Sequence, residues 1–390
     1  MKQRIAVVGA GPVGLLAALA LARAGHEVRV FEKRAALSTA SRASTFHPPT
    51  LDLLDRLGVL AAVAPLGKRI DTIDYYRSNT GRPELAARFR FDCLEGITAH
   101  PWRMHLEQSK LTPVLLHAVL AEPGVRVEFG AAVEGFTEHD DSLEVTVRRA
   151  HGSSHETFGW LVGADGANSA VRAAAGIAFE GEDYAKRILR IMTPLDLRTV
   201  IPGMAGIAYV YNDVDSISLL EMPQVWRIII RLAPAIGDDE AQEPAFYLRE
   251  IRRFLPLAHE LPAPAIDIYR TSQRIAAVYR KGRVLLAGDA AHVTNTRGGM
   301  NMNCGLHDAW TLGEAFAAHS IEAGLDIWTS SRRAVATDKL IPRTDRSVEG
   351  GVTFLASIEA SARKPERALL FVRDAAMIDI APAYGPRKLT

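Results

Sequence analysis

The chain has 390 residues and a formal net charge of +1, from 46 Lys and Arg against 45 Asp and Glu, so it lacks the basic excess of a polyanion-binding protein and nucleic acid is not an expected partner. At 48% hydrophobic residues, with 30 Gly and 20 Pro spread along the sequence, disorder, collagen and coiled coil are excluded; the length fits two to three domains, or one large domain with an inserted lobe. Two cysteines, Cys93 and Cys304, cannot build a disulfide framework and point to a reducing, cytoplasmic setting.

Lys2 and Arg4 ahead of the apolar residues 15–22 mimic a secretory leader, but Gly9, Gly11, Pro12 and Gly14 interrupt the run. No other stretch suits a bilayer span, so no stable membrane association is expected. Residues 5–8 read as a buried parallel strand, 13–23 as a Leu/Ala-rich helix closed by Ala24-Gly25, and 28–31 as a second strand ending at Glu32. Helices are expected at 50–57, stopped by Gly58, and at 110–121, and a strand at 125–129. Residues 133–149 predict a hairpin around the turn His139-Asp140-Asp141-Ser142, and 160–162 a short strand ending at Gly163. From 188 to 232 the texture becomes antiparallel, with strands at 207–211, 216–220 and 226–232. The βαβ texture returns at 283–287, followed by a glycine-rich segment and a helix at 308–318. The tail from 327 predicts helices without identifiable chemistry. The fold class is thus α/β, a Rossmann-like lobe with an inserted antiparallel sheet and a helical C-terminal tail.

Gly9-Ala10-Gly11-Pro12-Val13-Gly14 fits a dinucleotide fingerprint in its strand–turn–helix context. Gly9 permits the tight turn, Gly11 lets backbone approach a pyrophosphate, and Gly14 lets the helix pack on the strand. The helix N-terminus, with Pro12 and Val13, offers N–H groups and a positive dipole. Glu32 lies where a carboxylate accepts from both ribose hydroxyls, and its charge disfavours a 2′-phosphate; the ADP-ribose of FAD or NAD fits. Two further acids end strands: Asp165 in Gly163-Ala164-Asp165-Gly166-Ala167-Asn168-Ser169, and Asp289 in Gly288-Asp289-Ala290-Ala291-His292. Each alone reads equally as an Asp capping a turn or helix.

Together, GAGPVG with Glu32, GADGANSAVR and RVLLAGDAAH resemble the flavin-dependent aromatic hydroxylases, single-component monooxygenases of the para-hydroxybenzoate hydroxylase type. The resemblance covers residues 3–316. It implies an FAD-binding lobe of residues 1–72, 95–180 and 270–320, a substrate-binding sheet of 73–94 and 181–269, and a C-terminal helical segment of 321–390. It further implies that Asp289 binds the ribityl hydroxyls, that the Asp165-Gly166 turn serves FAD and the nicotinamide cofactor, and that Arg42 and Gln108 contact FAD. Lys33, beside Glu32, joins the expected cofactor contacts. Arg103 reads either as a second phosphate partner or as a surface salt bridge. Gly299, Met300, Asn301 and Met302 match the loop and helix start at the isoalloxazine, where N–H groups stabilise negative charge on reduced flavin. The usual pattern has proline and glycine where this chain has Thr296 and Asn301.

His47 is a candidate catalytic base for a phenol or hydroxylated heteroaromatic ring, the alternative being a histidine bonded to a loop carbonyl. Tyr209, Met222 and Arg227 are candidate substrate contacts, with core packing as the alternative. Met222 stands where the hydroxybenzoate enzyme uses an arginine for its substrate carboxylate, which implies a less anionic substrate. No metal motif and no G-x-S-x-G elbow is present. The resemblance implies an FAD monooxygenase: NADPH or NADH, visiting transiently, reduces the flavin, and O2 forms a C4a-hydroperoxide that hydroxylates an aromatic small molecule. The alternatives are a halogenase or reductase of the same superfamily, although no Trp-x-Trp-x-Ile-Pro segment occurs, and a non-catalytic FAD-binding redox protein.

Overall fold

A computed structural model describes residues 2–40, 43–79, 81–349 and 351–380. A six-stranded sheet runs in the order Arg280–Lys281, Val284–Leu286, Trp160–Gly163, Arg4–Val8, Glu27–Glu32, Val125–Phe129. All neighbours are parallel except the first pair. Residues 5–8 and 160–163 of its central strands are apolar and buried because both faces are covered. On one face the helix Pro12–Arg23 packs against the helix Asn301–Phe316. A Cβ on Gly313 would stand 2.6 Å from that of Ala20, so small residues set this close approach.

The predicted hairpin is a three-stranded meander, Ala132–Glu138, Leu143–Arg149 and Gly152–Phe158. Its third strand carries no apolar alternation in Gly-Ser-Ser-His-Glu-Thr because those positions are exposed, apart from Glu156, which pairs with Arg149 at 2.8 Å; only Phe158 is buried, edge-on to Phe31 at 5.9 Å.

A seven-stranded sheet joins segments distant in sequence, in the order Ala265–Tyr269, Arg187–Thr193, Trp226–Leu232, Ser216–Glu221, Ile207–Tyr211, Thr72–Asn79, Arg82–Arg90. One junction is parallel, Ile207–Tyr211 beside Thr72–Asn79. Strand alternation sorts its faces. Ala208, Val210, Ile217, Leu219, Ile228 and Ile230 form a core with the helix Pro244–Arg252. Tyr75, Tyr209 and Tyr211 point the other way, toward the C-terminal helices Gly351–Ala362 and Pro365–Ala375.

Two sequence expectations are corrected. The helix predicted from residue 308 begins at Asn301, directly after Gly298 (φ 80°) and Gly299 (φ 64°). Gly305, inside the helix, permits close packing: a Cβ there would lie 2.9 Å from the Gly288 Cα. The tail, read as inert, instead supplies walls and hydrogen bonds to the sites described below. No helix of the described residues is long and apolar enough to cross a membrane.

Candidate active site

Register aligns the strand ends. Val8 pairs with Phe31 and Gly163, and Gly163 pairs with Leu286. Gly9, Glu32, Asp165 and Asp289 therefore follow four adjacent parallel strands along one edge, across roughly 14 Å at ~4.8 Å per strand. This is the crevice beyond the carboxyl ends of the strands where open α/β sheets bind ligands. The turns lock together at glycines. A Cβ at Gly9 would stand 2.5 Å from the Ala164 carbonyl oxygen, one at Gly14 1.9 Å from that of Gly9, and one at Gly288 2.9 Å from Val13. At Gly11 a Cβ would meet nothing within 4 Å among the described residues, so open space lies over the fingerprint turn. The helix Pro12–Arg23 begins there with no side-chain cap and no acid in its first turn. Its N–H groups and dipole thus face that space, a fit to a pyrophosphate.

Glu32 accepts from the Ala10 N–H (2.9 Å) through Oε2 and from the Arg34 N–H (3.0 Å) through Oε1, holding the turn it borders. Lys33 is exposed. Asp165 accepts from Ser169 Oγ (2.5 Å) and from the Ala170 N–H (2.7 Å), so its carboxylate caps the short helix Ala170–Ala174. Gly166 takes φ 88°, which an L side chain rarely adopts. Arg172 ties the two acidic turns together by donating to the carbonyls of Ala167 (2.7 Å) and Ala290 (2.9 Å). Asp289 accepts from Asn301 Nδ2 at 2.8 Å. Gln108 opens the helix Gln108–Leu120, its N–H donating to the Ala43 carbonyl at 3.2 Å. Arg42 lies outside the described residues.

The helix Asn301–Phe316 has Met300 at its N-cap, with no side-chain cap and no acid in the first turn. Asn303 braces this loop: it donates to the carbonyls of Thr45 (2.8 Å) and Gly299 (2.7 Å) and accepts from the His47 N–H (3.0 Å). The His47 ring is fully buried, and its Nε2 donates to the Gly298 carbonyl at 2.8 Å. Nδ1 then holds a lone pair with no partner among the described residues. Burial, reinforced by the nearby Arg103 guanidinium, pushes its pKa well below the ordinary histidine value. The bond to a loop carbonyl weighed from sequence is therefore present, and the ring stands behind Gly298.

Gly298 and Met300 form one wall of a cavity of about 190 Å³. Tyr75, Tyr209 and Tyr211 line it from the seven-stranded sheet, and Phe354, Phe371 and Asp374 from the tail. Tyr75 and Tyr209 stack at 5.3 Å, and burial raises the pKa of Tyr75 and Tyr211, keeping both phenols protonated. Four arginines also line the cavity: Arg103, Arg297, Arg343 and Arg346. Arg297 lies 4.7 Å over the Tyr209 ring and donates to Ser216 Oγ (2.7 Å) and to the Tyr211 hydroxyl. Arg103 lies over Phe91 at 5.0 Å and donates to the Ala375 carbonyl. Burial lowers its pKa, and its Nε lacks a partner among the described residues. Neither arginine has a carboxylate partner among the described residues, whereas Arg343 pairs with Asp374 (2.8 Å) and Asp379 (2.9 Å).

Several sequence expectations change here. Arg103 is only 2% exposed and lines the ring cavity, so it is no surface salt bridge. Met222 is buried in the turn between two strands, its N–H donating to the Val225 carbonyl at 2.8 Å, and it does not line the cavity. The inference of a less anionic substrate falls with it, because the cavity is rich in guanidinium groups. Arg227 is buried on the sheet face but outside the lining, its pKa pushed down to about 10 by burial. Met302 packs into the main core, while Tyr209 and Met300 do line the cavity. Arg297, Tyr75 and the tail residues were missed. Arg297 stood beside the segment already under scrutiny; the tail gives only amphipathic helix patterns, which do not say what they cover.

His292, Cys304 and Asp308 bring a ring nitrogen, a thiol and a carboxylate within 4.8 Å of one another. The Arg332 guanidinium occupies the same place, donating to Asp308 Oδ1 (2.7 Å) and to Cys304 Sγ (3.3 Å). Its fixed positive charge opposes a metal ion there.

Comparison with known proteins agrees with this geometry. The family profile described as FAD binding domain matches residues 2–341. The chain is 32% identical over 323 residues to para-nitrophenol 4-monooxygenase of Pseudomonas sp. (strain WBC-3), covering 80% of this chain and 77% of that one. It is 31% identical over 350 residues to 6-hydroxy-3-succinoylpyridine 3-monooxygenase of Pseudomonas putida (strain DSM 28022 / S16), covering 88% and 87%. The crystal structure of p-nitrophenol 4-monooxygenase from Pseudomonas putida DLL-E4 superposes with a TM-score of 0.85 at 28% identity, covering 96% of this chain and 98% of that one. A dinucleotide crevice, an aromatic-lined cavity beside it and these relatives converge on one conclusion: the chain belongs to the FAD-binding-domain family of flavin-dependent aromatic monooxygenases.

Proposed function

We propose that this monooxygenase hydroxylates a single-ring phenol or hydroxypyridine that enters the arginine–tyrosine cavity as an anion. NAD(P)H supplies two electrons, one oxygen atom of O2 replaces a ring hydrogen with a hydroxyl group, and the other leaves as water. Bound FAD supplies the electron transfer and the oxygen activation. In this reading Gly9, Gly11, Pro12, Val13 and Gly14 present backbone to the pyrophosphate, and Glu32 and Lys33 flank the ribose. The Asp165-Gly166 turn and Gln108 border the middle of the cofactor. Asp289 takes the ribityl hydroxyls, and Gly299, Met300, Asn301 and Met302 present the helix N-terminus to the flavin ring. Residues 1–72, 95–180 and 270–320 would hold FAD, 73–94 and 181–269 would form the substrate sheet, and the described part of the C-terminal segment would close the cavity. His47 would shape the Gly298 wall through its Nε2–H.

The cavity carries the reading through size and charge. A cavity of about 190 Å³ compares with the order of 150 Å³ that takes up benzene, so it suits one substituted ring rather than a fused polycyclic system. Its lining sets four arginines against one aspartate, and two of those guanidinium groups lack a carboxylate partner among the described residues. A buried cation without a counter-charge is costly unless a ligand supplies one. An anionic ring there is also electron-rich, which favours electrophilic oxygen insertion. The test is stimulated NAD(P)H oxidation across anionic single-ring, neutral single-ring and polycyclic phenols, with product mass checked for one added oxygen. Turnover of polycyclic substrates alone would refute the size argument, and preference for neutral rings the charge argument.

A further inference from the structure

One chain of hydrogen bonds leads from the cofactor edge into the C-terminal segment. Asn301 Nδ2 donates to Asp289 Oδ1 (2.8 Å) and to the His292 carbonyl (3.3 Å), and Asn301 Oδ1 faces His292 Nδ1 at 2.9 Å. His292 Nε2 meets Asp308 Oδ2 at 2.8 Å. Asp308 Oδ1 accepts from Arg332 Nε at 2.7 Å, and Arg332 Nη1 donates to the Ile380 carbonyl at 3.0 Å.

Donor accounting fixes every member. Both partners of Asn301 Nδ2 are acceptors, so the amide can lie only one way round and its oxygen can only accept. His292 Nδ1 therefore carries a proton. Nε2, opposite a carboxylate already held by Arg332, carries one too. The ring is a fully buried imidazolium clamped between Asn301 and Asp308. Burial alone would depress its pKa, but Cys304 and Asp308 raise it well above the ordinary value.

We propose that Asn301 is a positioning residue for FAD: its amide, locked by His292 behind it, holds the Asp289 carboxylate toward the ribityl end of the cofactor. This rests on the role proposed for Asp289. A residue merely starting the helix would behave differently. Asn301 is the first residue of the helix Asn301–Phe316, whose first turn holds no acid. An aspartate there improves the helix start and pairs with the imidazolium, but it sets a second carboxylate against Asp289.

The experiment follows FAD retention during dilution of the full-length holoprotein, by flavin fluorescence, and melting by circular dichroism, for the wild type, N301L, N301G, N301D and D289N. Loss of a charge-assisted bond weakens FAD binding about tenfold in N301L and N301G. N301D should bind FAD worst while melting no lower than N301L. FAD binding by N301D equal to or tighter than by N301L would overturn the proposal, as would full affinity in N301G. FAD binding by D289N equal to the wild type would instead remove the role of Asp289 itself.

Discussion

Replacing Arg297 by methionine separates substrate charge from fold. The side chain is 5% exposed, stacks on Tyr209 at 4.7 Å and Tyr211 at 5.1 Å, and donates to Ser216 and Tyr211. Methionine has similar reach and keeps the apolar contact with both rings. Removing a buried cation that has no carboxylate partner among the described residues recovers desolvation cost, which offsets the two lost hydrogen bonds, so stability should change by less than about 2 kcal/mol. Binding should change more. A hydrogen bond from a guanidinium to an anionic ligand contributes about 1.5–3 kcal/mol, and about 1.4 kcal/mol is tenfold, so KM for an anionic phenol should rise about 10- to 100-fold. The assay is steady-state NAD(P)H oxidation with a nitrophenol above its pKa and with a neutral ring of similar size. KM should rise for the anion and stay within about threefold for the neutral ring, which makes no such bond. Equal movement of the two values, or none, would refute the charge argument.

Three further expectations concern the scaffold. H47F frees the Gly298 carbonyl and should lower kcat while FAD stays bound; because the His47 ring is already neutral, the acidic limb of the kcat–pH profile should persist, and its disappearance would make His47 the base. G11A projects into open space and should fold normally with weakened FAD affinity, whereas G14A collides with the Gly9 carbonyl oxygen 1.9 Å away and should fail to fold; flavin fluorescence and circular dichroism read the contrast. Burial lowers the pKa of His105 to about 4 and of His307 to about 3. Below pH 6.5 the unfolded chain therefore takes up protons that the folded chain refuses, and stability falls with pH, by about 3 kcal/mol at pH 4 for His105. His292 works the opposite way, its contribution present below pH 6.5 and lost as pH rises. Melting temperature should fall from pH 7 to pH 5, and less steeply in H105Q; an unchanged slope would contradict burial of a neutral His105.

Local sequence was sufficient for the dinucleotide lobe. Its chemistry is written in short segments, Gly9 to Gly14 and the acids ending strands, whose geometry is set within a few residues by glycine conformations and helix starts. Strand register then brings those segments to one edge. The ring cavity was not legible in this way. Tyr75, Tyr209, Arg297 and Phe371 come from four separate segments, and each alone reads as core packing. Met222 and Arg227 had the right residue types in the right region, but Met222 falls in the hairpin turn, and Arg227, on the same sheet face as Tyr209, stands two strands away from it, outside the cavity lining. Asp165 carries the expected motif yet spends its carboxylate on a helix cap, since any aspartate at a strand–helix junction has that local option. Sequence alone therefore determined the dinucleotide-binding turns, because each is built by backbone close in sequence. Tertiary structure alone decided the size and charge of the space beside the cofactor, because both depend on side chains that only packing brings together.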